Sequence, residues 1–200
     1  MKLEPKAILF DMDGVLVDSL DSWWKSLDTA MKNFGREGVS RDEFIEKYWG
    51  RDLQYNLKVM GLSYEILNFC NRAYAKNVDS VRIYPDTIDT LRKLKGYPKA
   101  IITNTPRDCA IQIIKSLKLE EFFEHVVTSD EVSMGKPSPE IVYKSCLDLN
   151  VEPKDVVLVG DTASDIEAGK SAGCTVIGMR IKADYKINSL SDLVNLLVLK

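Results

Sequence analysis

Short runs that are apolar along their whole length recur through this chain, and they constrain its fold more than any other feature. Ala7-Ile-Leu-Phe10 is followed at once by Asp11, and Lys99–Thr103, His125–Thr128, Asp155–Gly160 and Cys174–Gly178 repeat the character. They lack the alternation of a half-solvated strand and are too short for amphipathic helices, so they read as strands covered on both faces. Helical periods lie between them. Ile88, Leu91 and Leu94 share one face, as do Ala110, Ile114 and Leu117, with Pro106 expected in the first turn of that helix. Ile141, Val142 and Leu149 mark a third helix after Pro137-Ser138-Pro139, and Ile166 and Ala172 a fourth, closed by Gly173. Strands alternating with helices predict an α/β fold: a doubly wound parallel sheet with right-handed crossovers.

One stretch breaks the alternation. Between the first strand and Pro85 the patterning is helical throughout. Leu20, Trp23, Trp24, Leu27, Met31 and Phe34 form a wide apolar stripe, Ser40-Arg-Asp-Glu43 reads as a capping box ahead of Phe44, Ile45, Tyr48 and Trp49, and a third helix is expected within Tyr64 to Val78. This insert of about 65 residues is large enough for a small lobe of its own. The expected division is a core of residues 1–15 and 84–200 and an inserted helical lobe of residues 16–83.

Composition narrows the function classes. With 27 basic and 30 acidic residues the net charge is −3, without the basic excess typical of nucleic-acid binders, so an anionic substrate must be held by local features. The first residues lead into an apolar run that Asp11 and Asp13 interrupt, shorter than a signal peptide or membrane span requires. Cys70, Cys109, Cys146 and Cys174 have no zinc-type spacing and read as small core residues. A cytoplasmic protein, without nucleic-acid or membrane partners, is expected.

The polar residues that matter fall at strand ends. Asp11 and Asp13 follow the first strand, Thr103 and Asn104 the second, Asp161 and Asp165 the fourth. In an open parallel sheet ligands bind beyond the carboxyl ends of strands, so these groups should meet in one crevice, although any one of them alone would be an ordinary turn or cap residue. Clustered carboxylates repel one another and favour a cation; with no His or Cys ligand nearby, Mg²⁺ fits, since it binds through a few carboxylates and substrate phosphate oxygens. The one histidine, His125, begins a buried strand and reads as structural, which leaves acid–base work to carboxylates.

In this order the residues resemble the haloacid dehalogenase superfamily. Asp11-Met-Asp13-Gly14-Val-Leu-Val-Asp18-Ser19 is similar to its first motif, Ile101-Ile-Thr103-Asn104 to its second, Lys136 within Gly135-Lys136-Pro137-Ser138-Pro139-Glu140 to its third, and Gly160-Asp161-Thr162-Ala-Ser-Asp165 to its fourth. The resemblance spans nearly the whole chain and implies a Rossmann-like core with an inserted helical cap. It implies that Asp11 is a nucleophile forming an aspartyl-phosphate and that Asp13 is the acid and then the base. The Thr103 hydroxyl and the Asn104 N–H would hold phosphoryl oxygens, with Lys136 neutralising charge there. Mg²⁺ would be held by Asp11, the Asp13 carbonyl and Asp161. Asp165 would either orient metal-bound water or cap its helix.

Within the family, Asp13 favours phosphate transfer over dehalogenation, because a leaving alkoxide needs a proton and a halide does not. Lys25 and Lys32 fit a solvated helix face and not a Schiff-base role. Trp23 falls where related sugar phosphomutases carry a histidine, which favours hydrolysis over mutase activity of the β-phosphoglucomutase type. Trp23 and Trp24 themselves are expected to pack between the insert helices, or for one to line the pocket. The resemblance is closest to phosphoglycolate phosphatase-like members, which act on small phosphorylated metabolites; a monomer or homodimer is expected. A non-catalytic phospho-acceptor module is the distant alternative, disfavoured because its acidic pair would come first in the chain and it would have no helical insert.

Overall fold

The computed structural model describes residues 2–51 and 53–199. Strand β1 (Ala7–Phe10) has no exposed residue, and its position explains why. It lies inside a six-stranded sheet, between strands that come much later in the chain. After it follow β2 (Val17–Asp18), α1 (Leu20–Asn33), α2 (Arg41–Lys47), α3 (Leu53–Val59), α4 (Tyr64–Asn77) and β3 (Arg82–Ile83). The remainder alternates: α5 (Thr87–Lys93), β4 (Lys99–Thr103), α6 (Arg107–Ser116), β5 (His125–Thr128), α7 (Glu140–Asp148), β6 (Val156–Gly160), α8 (Ala163–Ala172), β7 (Thr175–Met179), β8 (Tyr185–Ile187) and α9 (Leu193–Leu196). The sheet order is β5-β4-β1-β6-β7-β8, every pairing parallel. The expected doubly wound sheet is borne out.

Period-two geometry splits the core into two layers. Ile8, Phe10, Ile101, Val157 and Val159 pack on one face in a cluster that runs on into the insert through Leu27, Cys70 and Tyr74. Ala7, Leu9, Ala100, Ile102, Val156 and Leu158 pack on the other, against Ile141 and Cys146 of α7 and Ala168 of α8. All four cysteines are free and buried. His125 Nε2 lies 3.0 Å from Ser145 Oγ, and burial lowers its pKa, so the ring is a neutral packing group. Gly173 closes α8 with φ +87°, the left-handed conformation that glycine reaches without a Cβ clash.

Several expectations need correction. Pro106 precedes α6 as its N-cap with ψ 148°, outside the first turn, and Arg107 begins the helix. Ser40 Oγ accepts the Glu43 N–H at 3.2 Å, but the Glu43 carboxylate accepts from Lys47 at 3.0 Å, so only half of a capping box forms. The stretch before Pro85 is not purely helical, because β2 and β3 pair antiparallel as a two-residue ribbon. Helix α3 and edge strand β8 were not anticipated. In β8 only Ile187 is buried, which leaves no alternation to read. Helices α1 and α4 pack against each other, and Trp23 stacks on Tyr74 at 3.6 Å. Trp24 Nε1 donates to the Val39 carbonyl at 2.7 Å, while Lys25 is exposed and Lys32 pairs with Asp28 at the surface. Among the described residues no helix is long and apolar enough to cross a membrane.

Candidate active site

Strand β1 is flanked by β4 on one side and β6 on the other, so a crevice opens beyond its carboxyl end. Asp11 is the first residue past that end, 4% exposed, its N–H donating to the Val159 carbonyl at 2.9 Å. The chain then turns back at Gly14, whose N–H donates to the Val17 carbonyl at 2.8 Å with φ +82°. A Cβ there would sit 2.1 Å from Asp161 Oδ2, so both the backbone angle and the close approach require glycine.

Lys136 organises the buried charges. Its ammonium donates to Asp11 Oδ1 at 2.7 Å, to Asp165 Oδ1 at 2.6 Å and to the Ile102 carbonyl at 3.3 Å. Burial alone would push Lys136 down, but the two carboxylates carry it above its ordinary pKa. Asp165 is fully buried and saturated: its other oxygen accepts the Thr162 N–H at 3.0 Å and the Thr162 hydroxyl at 2.6 Å. Of its two expected uses the capping one is seen, with a lysine salt bridge that had not been anticipated.

Asp11, Asp161 and Asp165 each bring a carboxylate oxygen within 4.8 Å of the others. Burial first, then the charge of Asp165, hold the Asp11 carboxyl well above the usual range despite Lys136. The same two causes push Asp161 up to about 7. Asp161 Oδ2 accepts a 3.4 Å hydrogen bond from the Trp49 indole, whereas Oδ1 is buried with no partner. Once Asp161 is ionised, its unpartnered oxygen among buried carboxylates is stabilised by added positive charge. The all-oxygen donor set fits a hard divalent cation such as Mg²⁺.

Asp13 stands outside that cluster. Its carboxylate accepts from the Ser19 hydroxyl, from Thr105 Oγ1 at 2.7 Å and from Thr103 Oγ1 at 3.2 Å. The Thr103 hydroxyl also accepts the Thr105 N–H at 3.0 Å, so it is committed to organising Asp13. The Asn104 side chain clamps the third-motif loop: Oδ1 accepts the Lys136 N–H at 2.8 Å and Nδ2 donates to the Lys136 carbonyl at 2.9 Å. Thr105 was missed, although period two past β4 puts it on the same side as Thr103. Trp49 had been read only as part of an apolar helix face.

A cavity of about 60 Å³ lies between core and insert, lined by Asp11, Asp13 and Lys136 on one side and by Trp23, Trp49 and Arg51 on the other. It has room for a few waters or one phosphoryl group, since a single water needs about 10–15 Å³. A wider cleft of about 1040 Å³ adjoins it, sharing Arg51 and Lys136.

Comparison with known proteins matches this arrangement to a family. Residues 8–179 match the model of the haloacid dehalogenase-like hydrolases. A phosphoglycolate phosphatase of Aquifex aeolicus is 34% identical over 190 residues, covering 92% of this chain and 88% of that protein. The crystal structure of a predicted phosphoglycolate phosphatase from Haemophilus somnus superposes with a TM-score of 0.79 at 25% identity, covering 95% of this chain and 96% of that one. CbbY from Rhodobacter sphaeroides, solved in complex with phosphate, shares the fold at a TM-score of 0.84 and 20% identity, over 94% of this chain and 96% of its own.

Proposed function

The chain belongs to the haloacid dehalogenase-like hydrolases, and from that premise we propose that it is a Mg²⁺-dependent phosphatase of small phosphomonoesters, working through an aspartyl-phosphate on Asp11. The observation that carries the reading is the buried bridge from Lys136 to Asp11 and Asp165, at 2.7 and 2.6 Å, beside the unpartnered Asp161 Oδ1. Asp11 Oδ1 is occupied by Lys136 and by the Met12 N–H at 2.8 Å, which leaves Oδ2 to attack phosphorus. The new bond joins Oδ2 to phosphorus as the bond to the leaving alkoxide breaks, and Asp13 delivers a proton to that alkoxide. In the second half Asp13 takes a proton from water as its oxygen attacks phosphorus, and inorganic phosphate leaves with Asp11 restored. Lys136 balances charge on the phosphoryl group while holding Asp11 in place. The Asn104 N–H and the Thr103 hydroxyl are the proposed phosphoryl donors, the latter by turning its single O–H from Asp13 Oδ2 to the phosphoryl oxygen when substrate binds.

Asp11, Asp161 and the Asp13 carbonyl would hold Mg²⁺. When bound, the ion supplies positive charge that stabilises the phosphoryl oxygens. Residues 16–83 are proposed as a cap that excludes water and reads the leaving group. The inner cavity of about 60 Å³ would take the phosphoryl group, and the named relatives make phosphoglycolate the first candidate. A cytoplasmic location accords with this role.

The test is phosphate release from phosphoglycolate, sugar phosphates, pyrophosphate, nucleotides and an aryl phosphate. Release with Mg²⁺ that EDTA and Asp11→Asn both abolish supports the reading. Turnover by Asp11→Asn, or isomerised hexose phosphate in place of free phosphate, would overturn it.

A further inference from the structure

Arg180 lies one residue beyond β7, with φ +62°, and β7 neighbours β6, which ends at Gly160 just before Asp161. Its backbone N–H donates to the Ile187 carbonyl at 2.7 Å, which fixes where the side chain starts. From there Nη2 donates to the Gly14 carbonyl, and the guanidinium lies over the Tyr84 ring, 5.3 Å from its centre. Residues 14, 84 and 180, far apart in sequence, thus meet at one point, and the first two flank the two strands through which the insert joins the core. Of the other bonds of the turn, Gly14 N–H to Val17 and Leu16 N–H to Met12 are internal to it, while Thr103 and Thr105 hold the Asp13 carboxylate from the end of β4 but leave Gly14 free of them. Those from Tyr84 N–H at 3.2 Å and Thr87 Oγ1 at 3.0 Å to the Leu16 carbonyl join it to the second linker. The Arg180 bond ties it to β7. Because Gly14 already rests against Asp161 Oδ2, a small drift of the turn would displace Asp13 and its carbonyl relative to Asp161.

We propose that Arg180 is a positioning residue: it clamps the Asp13–Gly14 turn and the Tyr84 linker to the end of β7, so that Asp11, Asp13 and Asp161 keep one geometry while the insert moves. Movement of the insert then pivots beyond the clamp, in the β2–β3 ribbon. The proposal rests on the phosphatase reading for its kinetic consequence but not for its structural one. A planar fork serves here better than a point charge, because the guanidinium lies over the ring while one of its N–H groups reaches the carbonyl.

The experiment compares wild type, Arg180→Ala, Arg180→Lys, Tyr84→Phe and Asp11→Asn in two measurements. In the first, amide hydrogen exchange of Arg180→Ala rises about tenfold or more at residues 14–17 while β4 and β6 stay protected. In the second, kcat for an aryl phosphate falls about tenfold to a hundredfold with KM nearly unchanged, as small misplacements of reacting groups produce. Millimolar guanidinium restores part of that kcat to Arg180→Ala and none to Asp11→Asn. Arg180→Lys keeps the charge but not the fork and also falls short of wild type, whereas Tyr84→Phe keeps the ring, loses only the hydroxyl that meets the guanidinium, and falls between Arg180→Lys and wild type. Unchanged exchange at residues 14–17, or a kcat loss that disappears when activity is expressed per folded molecule, would overturn the proposal. A wild type that releases no phosphate, with exchange still raised in Arg180→Ala, would defeat the phosphatase reading and leave the clamp standing.

Discussion

The sheet ends and the helical insert treat buried polar atoms differently. Beyond β1 and β6, Lys136 has three acceptors, Asp165 has both oxygens taken, and the Asp13 carboxylate collects three hydroxyl donors. In the insert, Asn56 Oδ1 and Asn71 Oδ1 are buried without partners. Buried polar atoms are normally paired, so saturation at the sheet ends describes a preformed centre, and among the described residues its exception there, Asp161 Oδ1, marks where a cation would fit. Of the two asparagines, Asn56 lines the inner cavity, where on the proposed reading a bound substrate would meet it. On that reading, chemistry belongs to the first region and selectivity to the second.

That contrast can be broken or sharpened by substitution. Asp11→Asn should lower kcat by about 10⁴-fold or more, measured as steady-state phosphate release, because losing a nucleophile removes the pathway itself. Lys136→Met should cost about 3–5 kcal/mol in urea unfolding, since it leaves Asp11 and Asp165 as buried charges with no counterion. A small effect would mean the centre is far less organised than its distances indicate.

The pH dependence is a more moderate effect with a definite sign. Folding raises Asp161 from the ordinary 3.8 to about 7, so the folded form holds that proton to higher pH than the unfolded chain. The stabilisation is fully present below about pH 4 and is lost as pH rises through about 7 in the cation-free protein. Mg²⁺ binds the ionised form, so melting curves should show a larger Mg²⁺-induced rise in Tm at pH 8 than at pH 5. Equal rises would argue against Asp161 as a ligand. The smallest effect is expected in the insert: Trp49→Phe removes the donor to Asp161 Oδ2 and keeps a ring against Phe44. It should change KM by only about twofold to tenfold, the worth of one hydrogen bond, with kcat little altered.

Much of this was readable in the residues because the buried strands are apolar at every position and their ends are marked by acids. The sequence alone assigns Asp11 and Asp161 to one crevice, since strand ends in a parallel sheet converge. What could not be read depended on contacts between distant residues. Nothing local to Asp165 indicates that Lys136, 29 residues earlier, will occupy its second oxygen. Nothing near Arg180 points to Gly14, 166 residues away. Thr103 was assigned to the phosphoryl group, and its bond to Asp13 became visible only with the β1–β4 pairing in place. Helix α3 and strand β8 escaped for a different reason: short elements at the surface carry too little periodicity to stand out.

The most direct test is to quench the reaction in acid during turnover, reduce with borohydride and map the peptides. An acyl phosphate on Asp11 is reduced to homoserine at position 11, which is the predicted result, formed only when substrate and Mg²⁺ are both present. Steady phosphate release with no reduced residue, or with one at Asp13, Asp161 or Asp165, would contradict the account.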